Sequence, residues 1–164
     1  MNADDLKVLR AQLTVGISGR ESQLEFASAI KDFPEPLRGL KPKGAPHSAW
    51  QLLEHMRLAQ RDILDFSREE GAHYEEKKWP DDYWPQSDAP PNAGAWDASV
   101  EAFQKDAQEL YRLVNNVRRN LFKPFSHGNG QTLLREALLV ATHNSYHLGQ
   151  LVFLKKMLLG SDVL

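Results

Sequence analysis

Apolar positions step by three and four along most of the chain, and no stretch keeps a sustained alternation of period two. Steps of three and four trace one face of an α-helix, so the pattern predicts an all-α protein. From Asp4 to Ile30, Leu6, Leu9 and Leu13 mark one face. Gly16 and Gly19 interrupt it, and Leu24, Ala27 and Ile30 resume it, as one broken helix or two segments. Phe33 to Pro46 holds Pro34, Pro36, Pro42 and Pro46 and reads as a connector. Ser48-Ala49-Trp50-Gln51 has the form of a capping box. The helix it opens is predicted to reach about Glu70, stopped by Gly71, with Leu52, Met56, Ala59 and Ile63 as its apolar stripe.

Ala72 to Ala95 is long and rich in proline, and it carries Trp79, Tyr83 and Trp84. A segment of this length without periodicity is usually functional or disordered, and three large aromatics argue against disorder. They are expected mainly to pack beneath the loop; lining the mouth of a pocket is the alternative. A third helix is predicted from Trp96 to Asn120, with Val100, Phe103, Ala107, Leu110, Val114 and Val117 on its buried face. Lys123 to Gly130 is a short connector, and a fourth helix runs from Gln131 to Leu159, ended by Gly160. Four amphipathic helices pack most simply as a four-helix bundle, and the long link between the second and third predicts a crossover.

The 164 residues fit one domain spanning 1–164. A formal net charge of -2 with no basic block argues against nucleic acid as a partner. Arg118-Arg119, the densest basic spot, falls where a helix should end, a place the helix dipole favours for cations. Cysteine is absent, which excludes disulfides, thiolate metal sites and a cysteine nucleophile. No apolar run approaches the ~20 residues that cross a bilayer, and the acidic start Met1-Asn2-Ala3-Asp4-Asp5 does not read as a signal peptide. A cytoplasmic protein is expected.

Candidate chemistry centres on His143 and His147, four apart within the long stretch from Leu133 to Leu159, which is rich in apolar residues but broken by polar ones. That spacing stacks both imidazoles on one helical face, where they can share a metal ion. No glutamate follows His143, unlike the helix of zinc proteases. On a helical wheel Glu136, Val140, Gln150, Leu151 and Leu154 share the face, so both rings point into the bundle. Buried imidazoles need partners, and a metal, carboxylates or backbone carbonyls would serve. Of the other histidines, His47 sits at a helix entrance, His73 follows Gly71 and His127 lies in a turn. His55 alone lies within another predicted helix, at the edge of its stripe, and completes a three-histidine set. Three imidazoles leave coordination positions open for water, a thiol or a carbonyl. Imidazole suits zinc, nickel, copper and iron, with zinc or nickel expected first. Glu136 and Gln150 are the candidates for orienting the rings, although Glu136 would equally pair with an arginine of a neighbouring helix. Glu54 is expected at the surface.

Two segments carry a resemblance: Ser48-Ala49-Trp50-Gln51-Leu52-Leu53-Glu54-His55, and His143-Asn144-Ser145-Tyr146-His147-Leu148-Gly149-Gln150. With Tyr83-Trp84-Pro85, Trp96-Asp97 and the run His127 to Glu136, they resemble the DinB-like family of metal-dependent enzymes over nearly the whole chain. The resemblance implies a bundle whose second and third helices run parallel. It implies a divalent metal on one histidine of the second helix and two of the fourth, matching His55, His143 and His147. It further implies thiol-dependent S-transfer as the activity of characterised members, a low-molecular-weight thiol as partner, and homodimers in many members. Hydrolysis is the other enzymatic reading. The alternatives are a non-catalytic bundle that binds metal or a small ligand, and a structural bundle with histidines as polar core.

Overall fold

A computed structural model describes residues 2–18, 25–68 and 74–160. Helix α1 (Ala3–Ser18) is opened by Asn2 and Asp5, each of which accepts the other's backbone N–H through its side chain. A short α2 (Phe26–Ile30) follows, so the first apolar region forms two helices; Gly19 and Leu24 lie outside the described residues. Helix α3 (Ala49–Ser67) starts at the predicted capping box, with both reciprocal hydrogen bonds of Ser48 and Gln51 in place. It ends at Ser67, and the predicted stop at Gly71 lies outside the described residues, as does His73. Helix α4 (Ala95–Asn115) and helix α5 (Leu133–Leu159) complete the set, and no strand occurs among the described residues.

The all-α bundle follows from these faces: α3 packs on α4 and α5, and α1 packs on α4 and α5. Helix α4 stops five residues before the predicted Asn120. Its apolar stripe ends at Val114, which is fully buried, whereas Val117 is 85% exposed. The chain then turns so that Leu121 enters the core. Basic residues here act across the fold rather than on their own helix. Arg119 donates to the Ser67 carbonyl at 2.5 Å, and His127 Nε2 donates to that of Phe66 at 2.9 Å. Both carbonyls belong to the last turn of α3, which has no intrahelical donors for them. Helix α5 is capped by Thr132, whose hydroxyl accepts from Arg135 N. It ends at Gly160, where φ of 88° suits a residue without Cβ.

The interior contains two apolar clusters. One gathers Trp50, Leu53, Met56, Trp96, Phe103, Leu148 and Leu151. The other gathers Leu13, Leu64, Leu110, Val114, Leu133 and Val140. Along α5 the second cluster ends at Val140 and the first begins at Leu148. The turns between them hold His143, Asn144 and His147, and the corresponding part of α3 supplies buried His55, Gln60 and Asp62. A polar layer therefore separates two halves of the core.

The connection from 74 to 94 is pinned to the helices along its length. Tyr74 and Tyr83 reach Asp62 of α3. Farther on, Ser48 Oγ donates to the Asp88 carbonyl, and Gln51 and Lys41 donate to the Asp88 carboxylate. The proline-rich connector packs so closely on this segment that a Cβ at Gly39 would meet that of Ala89 at 2.5 Å. No described helix is long and apolar enough to cross a membrane.

Candidate metal centre

His55, His143 and His147 come together as the sequence predicts, with a nitrogen of each ring within 4.8 Å of the others. Nε2 of His55 lies 3.1 Å from Nε2 of His147 and 3.1 Å from Nε2 of His143. Nδ1 of His55 is 2.9 Å from the Tyr83 carbonyl oxygen, which can only accept, so that nitrogen carries the proton. Nδ1 of His147 likewise donates to Gln150 Oε1 at 2.8 Å.

His143 is served by a relay. The Phe103 carbonyl of α4 accepts from Gln60 Nε2 at 2.7 Å, which turns Gln60 Oε1 toward Asn144 Nδ2 at 2.8 Å. Asn144 is thereby held with Oδ1 facing His143 Nδ1, at 3.5 Å. Each Nδ1 thus meets an oxygen acceptor, and the three unprotonated Nε2 atoms converge, that of His55 in close contact with the other two. Acceptors this close repel unless a cation lies among them. Two nitrogens each about 2.0–2.1 Å from one zinc ion stand roughly 2.9 Å apart at a right angle and 3.4 Å at the tetrahedral angle. The observed 3.1 Å falls inside that span. The donor set fits a divalent ion.

Burial also keeps the rings neutral. Removal from water pushes His55 and His147 down to about 4, and the neighbouring imidazoles add to the shift, against the hydrogen bonds the rings donate to Tyr83 and Gln150. His143 moves in the same direction for the same first cause. Neutral imidazole is the form that binds metal.

The aromatic loop does more than plug the fold. The Trp84 ring lies flat on His55, centroids 3.9 Å apart and planes 1° from parallel. His47 stacks on the other side of Trp84 at 4.0 Å. Trp79, by contrast, is 68% exposed, so the expected packing role fails for that residue. Tyr83 supplies two groups: its carbonyl orients His55, and its hydroxyl donates to Asp62 Oδ2 at 2.6 Å. Periodicity could not reveal a main-chain carbonyl as a partner. The position of Asp62, seven residues after His55 on the same helical face, was the readable hint.

Gln150 occupies the orienting position expected of it, but Glu136 does not. Glu136 is buried and bonds Arg135 at 2.6 Å, so its partner is neither a histidine nor an arginine of a neighbouring helix. Burial raises its carboxyl, partly offset by Arg135 and reinforced by Asp62. Glu54 is likewise not at the surface. Packing of α4 buries it, where it accepts two 2.8 Å hydrogen bonds from Arg57 and one from Ser99 Oγ.

Among known proteins, a sequence model described as the DinB superfamily matches residues 20–151. Comparison with curated proteins and with solved structures returns no match.

Proposed function

The chain belongs to the DinB superfamily, and from that premise we propose that it is a metal-dependent enzyme holding a divalent ion, zinc or nickel, on His55, His143 and His147. Its reaction, on this reading, is thiol-dependent S-transfer, with hydrolysis as the variant in which water replaces the thiol. The observation that carries the proposal is the convergence of three Nε2 acceptors whose Nδ1 protons already have partners.

Bound to three neutral imidazoles, a divalent ion supplies Lewis acidity toward an incoming thiol, water or carbonyl. The protein's own residues contribute orientation and shielding. Tyr83 and Gln150 fix the tautomers of His55 and His147, so both rings present Nε2 without reorganisation. The relay from Phe103 through Gln60 and Asn144 does the same for His143. Trp84 covers one face of His55 and keeps water from it. The low polarity of the surroundings holds the histidines unprotonated at neutral pH.

The test is metal content of tag-free protein by elemental analysis, with circular dichroism as the control for folding. Wild type is expected to carry about one ion per chain, and His147→Ala to lose it with its helical spectrum intact. Full metal occupancy in the variant would overturn the assignment. A panel of low-molecular-weight thiols with epoxides and halogenated aromatics then separates an enzyme from a carrier, which binds metal without turnover.

A further inference from the structure

Beside the histidines lies a cavity of about 240 Å³ whose walls none of the three contributes. It is lined by His47, Leu52, Gln150, Phe153, Leu154 and Met157, with exposed Lys43 the only charged side chain in the lining. Leu52 and Leu154 are core residues at its base, while Phe153 and Met157, 65% and 45% exposed, form its rim. Apolar atoms therefore dominate the wall, and a molecule seated there buries hydrocarbon. A cavity of roughly 150 Å³ accepts benzene. The larger space here suits a bicyclic aromatic or a medium-length acyl chain.

Its two uncharged polar residues both lead to the histidine cluster. Gln150 accepts from His147 through Oε1, and its amide NH2 has no hydrogen-bond partner among the described residues. Nor do the ring nitrogens of His47, whose face rests on Trp84, which in turn covers His55. Gln150 alone thus stands between the cavity and His147, and His47 with Trp84 stands between it and His55. An acceptor oxygen held by the Gln150 amide would lie on the side of the cavity nearest His147.

We propose that this cavity binds the second substrate of the centre: a small aromatic or acyl compound whose carbonyl-type oxygen is received by Gln150 and His47 and whose apolar body fills the space to Phe153 and Met157. Its chemical use rests on the metal assignment above, but its binding does not. The rim residues are side chains that substitutions can enlarge without touching the core.

The probe is 2-acetylnaphthalene, titrated by calorimetry into chelator-treated and zinc-loaded protein, with metal content measured on each sample and sedimentation velocity run alongside. Saturable binding at one per chain is expected in both forms. Met157→Trp at the rim, and Ala45→Trp at a half-buried residue of the same lining, should each weaken it at least tenfold. Gln150→Leu should weaken it several-fold while leaving the stoichiometry at one. Absence of saturable binding, or undiminished binding in both tryptophan variants, overturns the proposal. So does binding that disappears as the protein self-associates, the result expected if a second copy covers the cavity. Failure of the metal assignment shows separately, as protein that takes up no zinc on loading yet still binds the probe.

Discussion

Replacing Tyr83 by Phe removes one hydroxyl and tests whether the long connection positions the histidines. Asp62 is a buried carboxylate that accepts from Tyr83 Oη at 2.6 Å and from Tyr74 Oη at 3.0 Å, with Lys77 Nζ 4.0 Å away. A hydrogen bond to a charged group contributes about 1.5–3 kcal/mol. In a chain of this size each kcal/mol moves the midpoint by about 2–4 °C, so Tyr83→Phe should lower Tm by roughly 3–12 °C. The same substitution frees the backbone that carries the Tyr83 carbonyl to His55 Nδ1 and Trp84 to the His55 ring. Loss of such an orienting partner typically weakens metal binding by about 10–100-fold. Tyr74→Phe is the matched control. It breaks a bond to the same carboxylate, but no contact joins Tyr74 to the three histidines. It should cost comparable stability and leave metal affinity unchanged. Thermal unfolding by circular dichroism gives the first quantity, and zinc competition against a chromophoric chelator gives the second. Equal weakening of metal binding in both variants, or a Tyr83→Phe protein that is destabilised yet binds zinc normally, would refute the reasoning.

Three further outcomes are expected. Leu110→Ala empties a fully buried position in the cluster remote from the histidines and should cost about 2–5 kcal/mol in urea unfolding while metal content stays at wild-type level. Gln60→Leu removes the partner of Asn144 Nδ2, releases the amide that faces His143 and should weaken zinc affinity; an affinity equal to wild type would show that the relay does not orient His143. Burial alone would raise the Glu54 carboxyl, but hydrogen bonds from Arg57 and Ser99 outweigh it and hold the group below its ordinary 4.5. A depressed folded value means stability present above about pH 4.5 and lost as pH falls through the folded value. Glu54→Gln should therefore be less stable than wild type at pH 7, with the difference shrinking on acidification; a gap that does not narrow as pH falls below about 4.5 would contradict the ion pair.

Much of the frame was legible because its signals are local. The capping box at Ser48, the cap at Gly160 and the stripes on α3 and α5 act within a turn or two of chain, and each appears where periodicity places it. The histidine set was legible for the same reason. Four-residue spacing puts His143 and His147 on one face, and a third histidine on an apolar helical edge has few other destinations. Two of the expectations that failed depend on a distant partner. Helix α4 ends early because Leu121 and Arg119 have tasks elsewhere in the fold. Glu54 is buried because α4 covers it; Glu136, by contrast, is turned to its own chain neighbour Arg135 rather than to a ring nitrogen.

By itself, then, the order of residues determined an all-helical bundle and the three imidazoles at its centre, since helical spacing converts sequence distance into direction. Only the folded chain decided which atoms face those rings: the Tyr83 carbonyl, the Trp84 face, the Gln60–Asn144 relay and the cavity beyond Gln150. Gln150 and Asn144 share a helix with two of the rings and Gln60 with the third, but the Tyr83 carbonyl, the Trp84 face and the pairing of Gln60 with Asn144 are set by loop and interhelix geometry. The free energy that places them comes from packing between segments far apart in sequence, and no local pattern encodes it.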